Sequence, residues 1–237
     1  MNRLKHVREP SRLLMTWQPP EEGPFARTRR VVAEIVPAAH GAVLRYLLGT
    51  SDYDEAVKCG FIGYPAFVSS TTTHEQGVLE ALSRRLPPRK REDFSDFLAK
   101  HRLPDPFSLS DVALLGYTGA ALPSDGFSFV PDFPDYPGPF DFITELAGVR
   151  HVHGLNLAGI TPGNDVEFAF DRENPVDRDA IFVVHKGKPL GYMNRALRLR
   201  VAKWASTGYL TARIERINGT ADRPRVFVRL EYRCEPT

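Results

Sequence analysis

Residues 131–142 read PDFPDYPGPFDF, and the first nine of them hold four prolines and a glycine. Proline fixes one backbone angle and removes a donor, so this run forbids a helix and a central strand alike. A chain of 237 residues with this break past its middle is expected to form two small units, not one large one. The expectation is a first domain over 1–130, a linker over 131–148 and a second domain over 149–237. With 42% apolar residues, both halves can bury a core without staples. Cys59 and Cys234 form no C-x-x-C pair, which points away from a disulfide framework and toward a reducing, cytoplasmic setting. No apolar stretch is long enough for a signal peptide or a membrane span, so no membrane role is expected.

The net charge of +2 hides an asymmetry. Residues 1–148 carry 16 Lys+Arg against 19 Asp+Glu, a net of −3, and residues 149–237 carry 15 against 10, a net of +5. The smaller half is therefore the half suited to nucleic acid.

Periodicity gives the elements. In the first half, residues 30–37 and 42–48 are apolar and read as strands, the second also fitting a short helix. Thr73 and Gln76 have capping-box spacing ahead of Val78, Leu79, Leu82 and Leu86, a helix stopped by Pro87 and Pro88. Phe94, Phe97, Leu98 and His101 repeat the pattern, and Ser108 is the expected cap of a third helix that ends at Gly116. Residues 127–130 close this half as a strand. In the second half, residues 151–159, 165–170, 180–184, 190–193, 209–217 and 226–232 read as strands, with a hairpin at 185–188. The strand 180–184 lacks alternation and is expected to be buried on both sides. Leu197, Val201 and Trp204 mark one helix, and Asn218-Gly219 is the expected joint between the last two strands. The fold class is α+β: a small α+β domain, then a small, partly closed OB-like β-barrel with one helix.

The run Asp171-Arg172-Glu173-Asn174-Pro175-Val176-Asp177-Arg178-Asp179-Ala180-Ile181, followed by a hairpin, Leu190-Gly191-Tyr192-Met193 and a helix, resembles the HIRAN domain over residues 149–233. The resemblance implies an oligonucleotide-binding-like barrel. Some members bind single-stranded DNA, including its free 3′ end, as accessories to larger enzymes. It also implies that Asp177 accepts a bond from a terminal sugar hydroxyl. Turn chemistry alone gives Asn174 and Asp177 a simpler task, bonding local amides. Two departures bear on this. Val176 stands where the end binders have an aromatic residue, and Leu155-Asn156-Leu157 stand where they have a basic residue and two aromatics. The expected nucleic-acid contacts are Asn174, Asp177, Lys186, Lys188, Tyr192, Arg195, Arg198 and Lys203, with Arg195, Arg198 and Lys203 exposed off the apolar face of the helix. Without stacking platforms, phosphate contacts give weak, salt-sensitive, sequence-blind binding.

Residues 12–130 resemble the small N-terminal subdomain of HipA-type kinases, the toxins of bacterial toxin–antitoxin modules. The residues that carry this are Leu13-Leu14-Met15-Thr16-Trp17, the segments 81–88, 91–94 and 107–110, Leu115-Gly116-Tyr117-Thr118-Gly119-Ala120, and Asp125-Gly126-Phe127. No nucleotide loop or catalytic Asp-Asn pair follows, so the chain is not expected to be a kinase, nor any other enzyme. A stand-alone copy of that subdomain restrains a shortened kinase in related modules. The resemblance thus implies an antitoxin whose partner is a HipA-like kinase toxin, with DNA, single-stranded or operator, as a second partner. The alternative is a single-stranded DNA or DNA-end binding accessory protein in repair or phage defence. A third reading, a metal site at His151 and His153, lacks further ligands; no cofactor and no metal are expected.

Overall fold

In the computed structural model, residues 3–20, 27–122, 124–133 and 138–233 are described. Cys234 and the middle of the proline-rich stretch lie outside them. The chain forms two compact units: Met1–Leu4 with Arg8–Pro134, and Lys5–Val7 with Asp135–Thr237.

The first unit is built on strands β1 (Arg12–Trp17), β2 (Arg30–Ala38) and β3 (Gly41–Tyr46), followed by helix α1 (Ser51–Lys58). Thr50 caps α1, its hydroxyl accepting from the Tyr53 amide at 3.3 Å. Then come the two-residue strands β4 (Gly63–Tyr64), β5 (Phe67–Val68) and β6 (Thr73–His74). Helices α2 (Val78–Ser83), α3 (Phe94–Lys100) and α4 (Asp111–Thr118) lead to β7 (Ser128–Asp132). The main sheet has the order β6-β3-β2-β1-β7, and all its pairings are antiparallel. Leu13, Met15, Ile35 and Leu44 point from it into the core. Helix α4 is buried from Val112 to Tyr117, and Gly116 is the reason it can sit so close: a Cβ there would lie 2.7 Å from Leu13 Cδ2.

Two capping expectations are corrected. Thr73 is a strand residue opposite Arg45, and α2 starts from Gly77 at φ +68°, with no side-chain cap. The cap of α4 is Ser110, not Ser108. Its hydroxyl accepts from the Ala113 amide at 3.1 Å and donates to Glu9 at 2.8 Å. A carboxylate 101 residues away selects between two serines that the local pattern cannot separate.

The second unit contains β8 (Phe140–Glu145), a 3-10 turn at Val149–His151, β9 (Asp165–Phe170), β10 (Ile181–His185), β11 (Lys188–Tyr192), α5 (Arg198–Ser206), β12 (Leu210–Gly219) and β13 (Pro224–Tyr232). They form one sheet in the order β11-β10-β9-β12-β13-β8, with antiparallel pairings. Its two outer strands meet at one point. Ala147, just past β8, exchanges both backbone hydrogen bonds with Tyr192 at 2.8 Å each way. Leu197, Val201 and Trp204 bury the inner stripe of α5 as expected, and Trp204 packs on Phe140 with ring centroids 5.0 Å apart.

Three expectations change here. The stretch 131–142, expected as a linker, is used by both sheets: β7 runs to Asp132, and β8 starts right after Pro139 as a terminal strand, the sheet position proline tolerates. Residues 151–159 are not a strand. Positive φ at Gly154, Gly159 and Gly163, with Pro162 between the last two, breaks it into turns. The joint between the last two strands lies one step later, since β12 runs through Asn218 and Gly219, and residues 220–223 make the turn.

Candidate nucleic-acid interface

The segment between β9 and β10 folds into a turn closed at its base by the Asp171 amide donating to the Ala180 carbonyl at 2.9 Å. Asn174 organises its tip. Its Oδ1 accepts from the Val176 and Asp177 amides, 3.0 Å each, and its Nδ2 donates to Asp171 Oδ2 at 3.0 Å. Asp177 Oδ1 accepts from the Asp179 amide at 3.1 Å. Turn chemistry thus accounts for Asn174 fully and for one oxygen of Asp177.

The other oxygen faces arginines. Arg195 Nη1 donates to Asp177 Oδ2 at 2.8 Å, and Arg198 Nε lies 3.1 Å from the same atom. Arg198 also donates through Nη1 to the Arg195 carbonyl at 2.9 Å. The three side chains are only 14%, 16% and 17% exposed, for Asp177, Arg195 and Arg198. The expectation of exposed arginines at 195 and 198 is corrected: both lie against the turn because a carboxylate there holds them. Lys203 is exposed, as expected.

Tyr192 joins this cluster from β11. Its hydroxyl donates to Asp171 Oδ2 at 2.8 Å. Burial, then the hydrogen bond and charge of Asp171, raises its pKa above the ordinary phenol value, so the group stays a donor. Its ring stacks on Phe182 of β10, directly opposite, with centroids 4.3 Å apart and planes 26° from parallel. Both rings are half-buried, and the next residue across on β9 is exposed Ala169. Phe170 is 52% exposed, with the Arg172 guanidinium 5.2 Å from its ring centre.

The structure therefore brings together Asn174, Asp177, Tyr192, Arg195 and Arg198. It does not bring Lys186 and Lys188 to them. These sit at the tip of the β10–β11 hairpin, where Lys186 and Gly187 make a two-residue turn with φ of +49° and +76°. Lys188 is four residues, roughly 13 Å, along the strand from Tyr192. Asp171, Phe182 and the Phe170–Arg172 pair escaped the sequence reading. Only Asp171 had a local signal, its place three residues before an Asn in a turn. His151 and His153 are exposed in the turns after β8, and no group of three metal-ligating side chains occurs among the described residues.

An aromatic pair on a sheet face, hydrogen-bonded to a turn that holds two guanidiniums, can stack planar rings and attract anions.

No family model matches this chain, and no curated protein matches it. Among solved structures it is similar to the HIRAN domain of human HLTF, at 16% identity over 41% of this chain and 80% of that one, with a TM-score of 0.32. A similarity this distant assigns neither fold nor function.

Proposed function

We propose that this chain acts by gripping other macromolecules through two modules, without chemistry of its own. The second unit holds a single strand of nucleic acid. The first docks on a HipA-like kinase toxin and restrains it, so that the whole is an antitoxin with a DNA contact. The observation that carries the nucleic-acid half is the stacked, half-exposed Phe182–Tyr192 pair, tied through the Tyr192 hydroxyl and Asp171 to the turn whose Asp177 holds Arg195 and Arg198. It supplies the stacking surface that Val176 and Leu155-Asn156-Leu157 do not. The +5 charge of residues 149–237 favours the same ligand.

The test is fluorescence anisotropy of a dye-labelled oligothymidine titrated with the full chain at low and moderate salt. Binding that weakens with salt is expected. Phe182→Ala should lower affinity about tenfold, since stacking contributes about 1–3 kcal/mol per base. Absence of binding at low salt refutes this half.

A separate observation favours kinase docking. Ile62 is 84% exposed and Val68 63% exposed, both at the β4–β5 hairpin where Gly63 pairs with Val68. Large apolar side chains left this open suit a protein partner. Co-expression with a HipA-like kinase encoded beside this chain should relieve toxicity and yield a complex. The pair Ile62→Asp and Val68→Asp should abolish both. No complex together with unrelieved toxicity refutes the antitoxin half.

A further inference from the structure

Two guanidiniums converge on a single carboxylate oxygen, Asp177 Oδ2, at 2.8 Å from Arg195 and 3.1 Å from Arg198. Paired arginines offer a phosphate oxygen this same arrangement. The carboxylate cannot swing away freely, because its other oxygen is bonded to the Asp179 amide and the Asp177 amide is bonded to Asn174. The arginines are tied to each other through the bond from Arg198 to the Arg195 carbonyl. The three groups sum to one positive charge, where the arginines alone would present two.

We infer that Asp177 is a built-in brake on phosphate binding: its carboxylate fills the anion position that Arg195 and Arg198 form, and the external ligand of that position is the phosphodiester of a single strand. This rests on the nucleic-acid reading of the same face. It gives Asp177 a role opposite in sign to that of a group accepting a bond from the strand. A direct acceptor lost on substitution weakens binding; a brake lost on substitution strengthens it.

The test is the same anisotropy titration of the full chain with a dye-labelled oligothymidine, comparing wild type with Asp177→Asn and Asp177→Ser. The first variant keeps the shape and an oxygen for the Asp179 amide. The second keeps a hydroxyl acceptor there if the first fails to fold, and thermal melting identifies the folded variant. The folded variant should bind about five- to tenfold tighter near 50 mM salt, and the advantage should shrink as salt rises. The slope of log K against log salt should steepen by about 0.7 for each further phosphate engaged. In an Arg195→Gln, Arg198→Gln background the same change should add nothing. Weaker binding by the Asp177 variants overturns the inference and makes Asp177 a strand contact. Unchanged binding overturns it too, with the nucleic-acid reading intact. No binding by either wild type or variants overturns both.

Discussion

Asp141, at the start of β8, is the most demanding single group in the second unit. Its side chain is fully buried. Oδ2 accepts from the Lys5 amide at 2.9 Å, the His6 amide at 3.2 Å and Arg229 Nη2 at 3.3 Å, and Oδ1 accepts from Arg233 Nη1 at 2.6 Å. In Asp141→Asn, the amide nitrogen must face one of these two donor sets, whichever way the group is flipped. Removing one partner of a buried charged set costs about 3–5 kcal/mol. Arg229 keeps Glu231 at 2.8 Å, so the lower end, about 3 kcal/mol, applies. For a domain of about a hundred residues each kcal/mol moves Tm by about 4–8 °C, so a drop of about 12–24 °C is expected. Trp204 packs on Phe140, next to the substitution, and Trp17 lies in the first unit; fluorescence in a Trp17→Phe background therefore reports the second unit. The pH dependence gives a second reading. Burial works to raise the Asp141 pKa, but the hydrogen bonds from Arg233 and the Lys5 and His6 amides, with the charge of Arg233, outweigh it and lower the value. A carboxyl with a lowered folded pKa contributes stability in full above its unfolded value of about 3.9, and loses it as pH falls through the folded value. The gap in Tm between wild type and Asp141→Asn should therefore be widest at neutral pH and close in acid. A drop under about 3 °C, or a gap that persists unchanged into acid, refutes this account of the buried carboxylate.

Other perturbations have expected outcomes of the same kind. Gly116→Ala should destabilise the first unit by about 1–3 kcal/mol in urea, because the new methyl meets Leu13 Cδ2 at 2.7 Å and Pro131 Cβ at 3.2 Å. Arg85→Met should cost about 2 kcal/mol by the same measurement. It strips Asp125 of both guanidinium bonds, and the partial exposure of Asp125 keeps the loss below that of a fully buried pair. Lys186→Ala with Lys188→Ala should leave stability within about 0.5 kcal/mol and weaken oligothymidine binding only mildly, since both lie at the hairpin tip away from the Tyr192 cluster.

How far the candidate site could be read in advance turns on register. The turn Lys186-Gly187 was legible, and a regular hairpin built on it would place Tyr192 opposite Ile181, on the buried face. The strands instead shift register between Val183 and Val184, so that Tyr192 stands opposite Phe182. A one-residue shift turns a side chain to the other face of the sheet. The one local mark of the bulge is Gly191 inside the returning strand, which gives neither its position nor its effect on register, and the aromatic pair was therefore hidden, although each residue type was plain to see. The same limit hid the partners of Asp177. The turn chemistry of Asn174-Pro175-Val176-Asp177 is local and was readable. Arg195 and Arg198 are 18 and 21 residues further on, and only the closed sheet carries them back. Helix α5 was readable throughout because its stripe of Leu197, Val201 and Trp204 is itself the cause of its burial.

The point where the outer strands meet yields a last prediction. Ala147 and Tyr192 exchange their two backbone hydrogen bonds there, and Gly191 is the residue that permits the approach. A Cβ on Gly191 would lie 2.9 Å from the Ala147 carbonyl oxygen and 3.0 Å from Val149 Cγ2. The nearest obstacle is backbone, so it cannot be relieved by turning a side chain, and in Gly191→Ala the two strands must separate. Tyr192 is the next residue, and its hydroxyl reaches Asp171 only from this position. Loosening the junction should therefore act at a distance from the added methyl: Tyr192 loses its bond to Asp171, and its ring loses its fixed seat against Phe182. Gly191→Ala should weaken oligothymidine binding by about as much as Phe182→Ala, and hydrogen exchange should quicken at the Ala147 and Tyr192 amides, which donate the two bonds. If exchange quickens at those amides while binding holds, the rings are not where the strand is held. If neither changes, the glycine is not what brings the two edges together.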